Sequence, residues 1–535
     1  MTIKLLITLA YFAIVFYLGY KGWKETKGAS DYMLAGRRVN PFVMAMSYGA
    51  TFISTSAIIG FGGAAGLFGF PLLWLTVFNL SFGIFIAMVF FGKRTRRMGL
   101  ALNCHTFPEL LGKRYQSRFI QGFSGGVIFM FIPVYAAAVL IGICRMVEVS
   151  LGLPYTWVLL GVTAIIALYV ITGGMKAVMY TDAFQGSIMA IMMLILICYT
   201  YSMLGGVTEA HQALTDMAQL MPEKLQKGGM LGWTQGSVAF SPLWLTIYTT
   251  IVYGVGIGVL AQPQLAVRYM TVPGDRELNR AVLYGGIFIL LMTGVAFIVG
   301  ALSNAVFFKE FGKISIAMAG GNIDKIIPTF IETMMPPWFS AIFLLAMFAA
   351  AMSTLSSQFH VGGTSLGHDI YARAMRTRVR AAGNSMAVNQ MGVVITILAS
   401  LVWAWVLPES VIARATAFFF GLCGAAFLPA YLLGLYWKGM TKAGAKFSII
   451  GGFIASMLWL LFIHEKEAAS IGLCQLLFGK TTLVADAAKG SWIFLLQWVD
   501  PNVVALPFSF LLAWGVSAFS TSLADEHVEA CWQNC

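Results

Sequence analysis

Long apolar runs recur along the whole 535-residue chain. Many are close to the roughly 20 residues that carry an α-helix across a hydrocarbon core. Lipid offers the backbone no hydrogen-bond partner, so such runs must satisfy their own N–H and C=O groups as helices. The short alternating segments of an outer-membrane barrel are not seen. Only 10% of residues are charged and 59% are hydrophobic, against about 25% charged in a soluble domain. The fold class expected is an all-α polytopic membrane protein with about 13 transmembrane helices. The first run, Ile3–Tyr20, lacks a small-x-small cleavage site and is followed by Lys21 and Lys24, which predicts a retained span. The last expected span is Val503–Ser522.

The net charge of +12 falls mainly in loops. With the N-terminus outside, the loops predicted to be cytoplasmic hold 23 of the 34 Lys and Arg residues, Arg268, Arg276 and Arg280 among them. That bias predicts a multi-pass protein of the inner (plasma) membrane, N-terminus outside and C-terminus cytoplasmic. It calls for a lipid bilayer and no nucleic acid. Seven cysteines, including Cys531 and Cys535 in the tail, show no disulfide or zinc spacing. The six histidines lie mostly in loops or at span ends and are expected to form no pair, and no catalytic dyad stands out, so no enzymatic activity and no organic cofactor are expected. The long loop His464–Pro501 contains SWIFLLQWV, which predicts an interfacial helix.

Two spans carry helix breakers. The second contains Gly60, Gly62, Gly63, Gly66 and Gly69; the seventh contains Gly254, Gly256, Gly258 and Pro263. Glycine weakens a helix and proline removes a donor. Interrupted spans at matching places in two halves point to an inverted-repeat transporter whose site lies where the helices unwind. Close helix packing through small residues is the alternative.

The ninth span reads AAAMSTLSSQF, with Ser353, Ser356 and Ser357 on one helical face and Thr354 beside them. Ser353 falls about 24 Å along the helix from its outer end, past mid-membrane. Clustered hydroxyls there make a neutral oxygen surface suited to a hard monovalent cation; bonding back to carbonyls one turn earlier is the other reading. Asp182 lies just inside the sixth span, where an ionisable group is costly and functional unless it is a solvated helix start. Arg145 and Glu148, three residues apart, read as an interfacial ion pair.

SDYMLAGRR (Ser30–Arg38), TFPELLGKRY (Thr106–Tyr115), GGMKAVMYTDAFQG (Gly173–Gly186), AQPQLAVRYMT (Ala261–Thr271) and AAAMSTLSSQF (Ala349–Phe359) follow one another in order. Together they resemble the sodium:solute symporter family, whose members share a LeuT-type core of inverted five-helix repeats. The resemblance implies one transporter domain over 1–535. A leading helix (1–25) precedes a first repeat (41–205) and a second (240–437), and peripheral helices with a short tail follow (444–535). It implies sodium as coupling ion. A first sodium site would use Ala50, Ile53, Ala350, Ser353 and Thr354, and a second would use Asp182, Ser353, Ser356 and Ser357. Proline-transporting members carry an aspartate where this chain has Phe52, which sets proline itself in doubt. The LeuT-type plan puts the solute at mid-membrane, near Ser54, Thr55, Ser56, Thr76, Asn79, Tyr135, Tyr253 and Gln262. No Lys or Arg is expected at mid-depth there, so a small monocarboxylate, amino acid or neutral solute is favoured over a multiply charged one. The expected function is sodium-coupled import of a small organic solute by alternating access. A proton-coupled symporter of the same fold, or a transporter-like solute sensor, is the alternative.

Overall fold

In the computed structural model, the residues described are 2–25, 33–374 and 382–533. They form helices almost throughout. In chain order these are α1 (Thr2–Glu25), α2 (Pro41–Phe52), α3 (Ser56–Phe68), α4 (Phe70–Ala101), α5 (Arg118–Leu151), α6 (Tyr155–Met203), α7 (Pro242–Ala261) and α8 (Pro263–Tyr269). Then come α9 (Asp275–Phe311), α10 (Pro337–Tyr371), α11 (Ala387–Val406), α12 (Ile412–Tyr436), α13 (Lys442–Phe462), α14 (Trp492–Trp498) and α15 (Asn502–Ala518). Among the described residues, nine helices are long and apolar enough to cross a membrane, or up to eleven if each of two bent pairs is one span. The expected count of thirteen is therefore not reached. The two remaining expected spans fall on α1 and on the shorter apolar stretch Tyr155–Leu168 at the start of α6. Part of the basic linker Ala372–Ser385, and the first residues of the Ser30–Arg38 motif, lie outside the described residues.

The centre of the bundle is α10, whose residues from Phe343 to Thr364 are buried without exception. It packs against α5, α6 and α11 and touches α2. A helix surrounded by protein has no lipid face, which is why its hydroxyls find partners in neighbouring helices rather than in water. α12 packs on α13, α15 and α5 and closes the other side.

Both expected broken spans are broken, but not both where the glycines lie. α2 and α3 meet at a 52° bend over Ile53, Ser54 and Thr55, before the first of the glycines. Ile53 leaves the helical conformation at φ −93°, ψ 99°. The glycines themselves let helices touch: a Cβ on Gly63 would stand 2.3 Å from the Ile323 carbonyl oxygen. The small-residue reading thus explains the glycines of α3, whereas the unwinding falls on Ile53, Ser54 and Thr55 before them. In the other span the break falls where proline predicts it. α7 tightens over Val259–Ala261, Gln262 turns extended at ψ 117°, and Pro263 starts α8. α14 meets α15 at 94°, so SWIFLLQWV does not continue the span that follows it.

Candidate functional site

The break between α2 and α3 presents unpaired carbonyls to α10, because the last turn of a helix leaves its C=O groups without helical partners. Two of them are met by hydroxyls. Ser353 Oγ donates to the Ala50 carbonyl at 2.9 Å and to its own-helix Ala350 carbonyl at 3.2 Å. Thr354 Oγ1 donates to the carbonyls of Ala50 at 3.2 Å and Thr51 at 3.1 Å. Ala50, Ala350, Ser353 and Thr354 are thus brought to one place, wholly buried, and Ile53 ends the same helix turn. This neutral, all-oxygen donor set fits a hard monovalent cation, which a cage of several carboxylates would not. The back-bonding reading holds for the neighbouring serines: Ser356 and Ser357 both donate to the Ser353 carbonyl, at 3.1 and 2.9 Å.

One turn further along α10 the chemistry changes. Asp182, on α6, is wholly buried, which rules out the solvated helix start. Ser47 Oγ donates to its Oδ2 at 2.7 Å. The same oxygen is met at 3.1 Å by Arg268 Nη2 from α8. That guanidinium also donates to Ser47 Oγ at 3.1 Å, to Thr51 Oγ1, and to Ser357 Oγ at 2.6 Å. Its other Nη holds the Gln264 carbonyl at 2.6 Å. Arg268, expected among the charges of a cytoplasmic loop, is instead 0% exposed. The sequence reading missed it because a charged residue soon after a proline break reads as the start of a loop. The half-helix α8 carries it back into the protein. Of the four residues expected at a second sodium site, Asp182 and Ser357 share this cluster. Ser353 contributes only its carbonyl, and the Ser356 hydroxyl is turned up the helix.

A narrow cavity of about 20 Å³, room for little more than a water molecule, lies beside the break. Ser54, Ser56, Asn79 and Tyr135 line it, as expected for a solute site, and Ile53 forms part of its wall. Its remaining walls are largely aromatic, with Phe52, Phe61, Phe297 and Phe420. The Ser56 hydroxyl and Asn79 Oδ1 are buried without a hydrogen-bond partner. No charged side chain lines it. Four other expected residues lie elsewhere. Thr55 turns away to donate to the Val139 carbonyl at 2.7 Å. Thr76 is buried but does not line the cavity. Gln262 Nε2 donates to the Gly258 carbonyl at 3.2 Å and its Oε1 accepts from Gln264. Tyr253 lines a separate cleft with Trp74, Trp244 and Tyr248. The aromatic walls were missed, since apolar residues in apolar spans carry no local mark; Thr416 was missed as a lone hydroxyl, which donates to the Ile412 carbonyl of its own helix at 2.9 Å.

Away from this centre, Arg145 pairs with Glu148 at 2.7 Å, as expected, and adds Glu409 at 3.3 Å. The histidines are not all apart, however. The rings of His105 and His368 approach to 6.3 Å, with Glu109 beside both. Burial works against the Glu109 charge, but the histidines and Lys113 outweigh it and hold the carboxyl well below its usual range. Among the described residues, no group of three or more His, Cys, Asp or Glu is placed to hold a metal ion.

Comparison with known proteins agrees with this architecture. The family model described as the sodium:solute symporter family matches residues 32–452. The chain is 28% identical to a sodium/proline symporter of Staphylococcus saprophyticus, over 87% of each chain. It is 29% identical to a sodium/pantothenate symporter of Haemophilus influenzae, over 80% of this chain and 84% of the relative. A solved structure of a sodium-coupled sialic acid symporter superimposes with a TM-score of 0.73 at 18% identity, over 98% of this chain and 99% of that one.

Proposed function

Because the chain belongs to the sodium:solute symporter family, we propose that the solute it carries with sodium is a small organic monocarboxylate with a compact apolar body. The protein is a multi-pass sodium-coupled symporter, not an enzyme. With that solute go ion sites at the α2–α3 break and at Asp182, a division into two repeats (41–205 and 240–437), and an N-terminus outside.

The observation that carries the reading is the cavity at the α2–α3 break. Its walls are aromatic and its polar groups are neutral hydroxyls and an amide. A multiply charged solute would find no side-chain counter-charge there, and burying an uncompensated charge is prohibitive. A single carboxylate is different, because Ile53 belongs to the cavity wall and also ends the helix whose carbonyls form the neutral cluster. A sodium ion held by Ala50, Ile53, Ala350, Ser353 and Thr354 would stand next to the solute's charge. Each would then lower the cost of binding the other, and that coupling is reciprocal. Phe52, stacked on Phe420 at 6.5 Å between ring centres, offers an apolar surface where proline-carrying members are expected to place a carboxylate.

Transport proceeds by alternating access. Sodium entering from outside orders the α2–α3 break and completes the solute cavity. Closure on the solute side then opens the inner path, where low sodium favours release. The membrane potential adds about 2.3 kcal/mol per charge per 100 mV.

The test is uptake into proteoliposomes under an inward sodium gradient. The labelled panel comprises monocarboxylates, amino acids, dicarboxylates and sugars. Sodium-dependent uptake of a monocarboxylate is expected, with at least about tenfold preference over its dicarboxylate analogue, about 1.4 kcal/mol. Preferred uptake of a sugar or a dicarboxylate would overturn the solute assignment, and drive by a proton gradient alone would overturn the ion assignment.

A further inference from the structure

The second cation site, as read above, already contains a cation. We propose that Arg268 is a tethered counter-cation that competes with sodium for that site; the inference rests on the reading of Asp182 and the α10 hydroxyls as a sodium site.

Three features carry it. The first is contact. Arg268 takes the oxygens that a sodium ion there would use: Asp182 Oδ2 at 3.1 Å, Ser357 Oγ at 2.6 Å and Thr51 Oγ1. The second is charge. Arg268 and Asp182 are both wholly buried, and like charges at contact distance repel strongly where water is excluded. The cluster has one carboxylate, so a guanidinium and a sodium ion cannot share it. Asp182 Oδ1 is left without a hydrogen-bond partner, so the guanidinium does not exhaust the carboxylate. The third is attachment. Arg268 stands on α8, a half-helix of seven residues that starts at the extended Gln262. Its Nη1 is braced on the Gln264 carbonyl of the same half-helix, so the guanidinium moves with α8 rather than alone. A small change of backbone angle at Gln262 would withdraw it, as hinges at element ends allow.

Entry of sodium at the second site is thereby tied to the position of α8. In the arrangement described, Arg268 neutralises Asp182 and the second sodium is excluded. In an arrangement with α8 withdrawn, Asp182 needs another cation and sodium supplies it. The return of Arg268 then expels sodium, giving the ion a built-in competitor on release.

The experiment measures sodium binding to the full-length protein in detergent, by radiolabelled sodium at equilibrium and by melting temperature in NaCl against KCl. It compares the natural protein with Arg268→Gln, Arg268→Lys and Asp182→Asn. Arg268→Gln should bind a second sodium at least tenfold more tightly than the natural protein. It should also melt lower in KCl and regain much of that loss in NaCl, a pattern that a merely misfolded variant does not give. Arg268→Lys keeps the positive charge and should keep the second site weak, so the inference remains testable if the glutamine variant folds poorly. Two sodium ions bound with unchanged affinity in Arg268→Gln would overturn the competition and leave the second site standing. A single sodium in every variant, unaffected by Asp182→Asn, would overturn the second site itself and the inference with it.

Discussion

Two oxygen clusters lie about one turn apart on α10, and they bury polarity in opposite ways. In the first, Ser353 and Thr354 meet the carbonyls of Ala50, Thr51 and Ala350, and every partner is neutral. In the second, a full carboxylate and a full guanidinium meet among the hydroxyls of Ser47, Thr51 and Ser357. The neutral cluster can receive a cation without ejecting anything, since its hydroxyls need only turn their hydrogens away. The charged cluster can receive one only by exchange. Sodium at the first site therefore adds a charge to the bundle interior, which solute binding can balance. Sodium at the second replaces a charge and moves a helix.

The comparison breaks most visibly if one charge is removed. Asp182→Ala strands Arg268 in a dry site. Removing one partner of a buried pair costs about 3–5 kcal/mol, far more than the pair contributes by itself. Unfolding in KCl should show that loss, and the double variant Asp182→Ala, Arg268→Gln should recover at least half of it. Equal losses in the single and double variants would mean that the two charges do not face each other.

Ser353→Ala tests the neutral side. It removes the hydroxyl that meets both Ala50 and Ala350 and leaves no charge behind. Stability in KCl should fall by only about 1 kcal/mol, the usual net contribution of a neutral hydrogen bond. Sodium-dependent stabilisation, read as the melting shift between NaCl and KCl, should disappear. A full sodium shift in this variant would remove Ser353 from the first site.

The two clusters were not equally legible in the sequence. Ser353, Ser356 and Ser357 share a helical face by spacing alone, with Thr354 beside them, so a neutral hydroxyl cluster could be expected before any fold was known. Pro263 likewise marks the break before α8, because it can neither donate to the helix nor continue it smoothly. Arg268 could not be placed the same way. Its burial depends on α8 turning back toward α2 and α6, whose contacting residues lie 86 to 221 positions away in the chain. The approach of His105 to His368, across the bundle's fold rather than along a helix, was hidden for the same reason. The α2–α3 break at Ile53–Thr55 carries neither glycine nor proline, and the glycines just after it drew attention to the wrong residues.

A third buried carboxylate sharpens the comparison by having backbone amides where Asp182 has an arginine. Asp324, in the turn before the helix Ile326–Met334, accepts from the Val411 amide at 3.1 Å and is 2% exposed. Burial raises its pKa from 3.8 to about 6, against the lowering effect of the Val411 and Ile412 amides. A carboxyl whose folded pKa is raised stabilises the fold fully below its unfolded value. That stabilisation is lost as pH rises through the folded value, here between about pH 4 and 6. Above that range the charge weighs on the fold, because the two amides and the charges of Arg145 and Arg414 offset its desolvation only partly. Asp324→Asn removes the charge but gives up one amide-donated hydrogen bond. It should therefore be more stable than the natural protein by about 1 kcal/mol at pH 8, and the advantage should vanish near pH 4. Melting measured across that range separates the cases. An advantage that persists at pH 4 would show that packing rather than charge sets the effect. A variant less stable at pH 8 would show that amide dipoles hold a buried carboxylate as well as an arginine does, which would weaken the electrostatic case for Arg268 as the partner Asp182 needs.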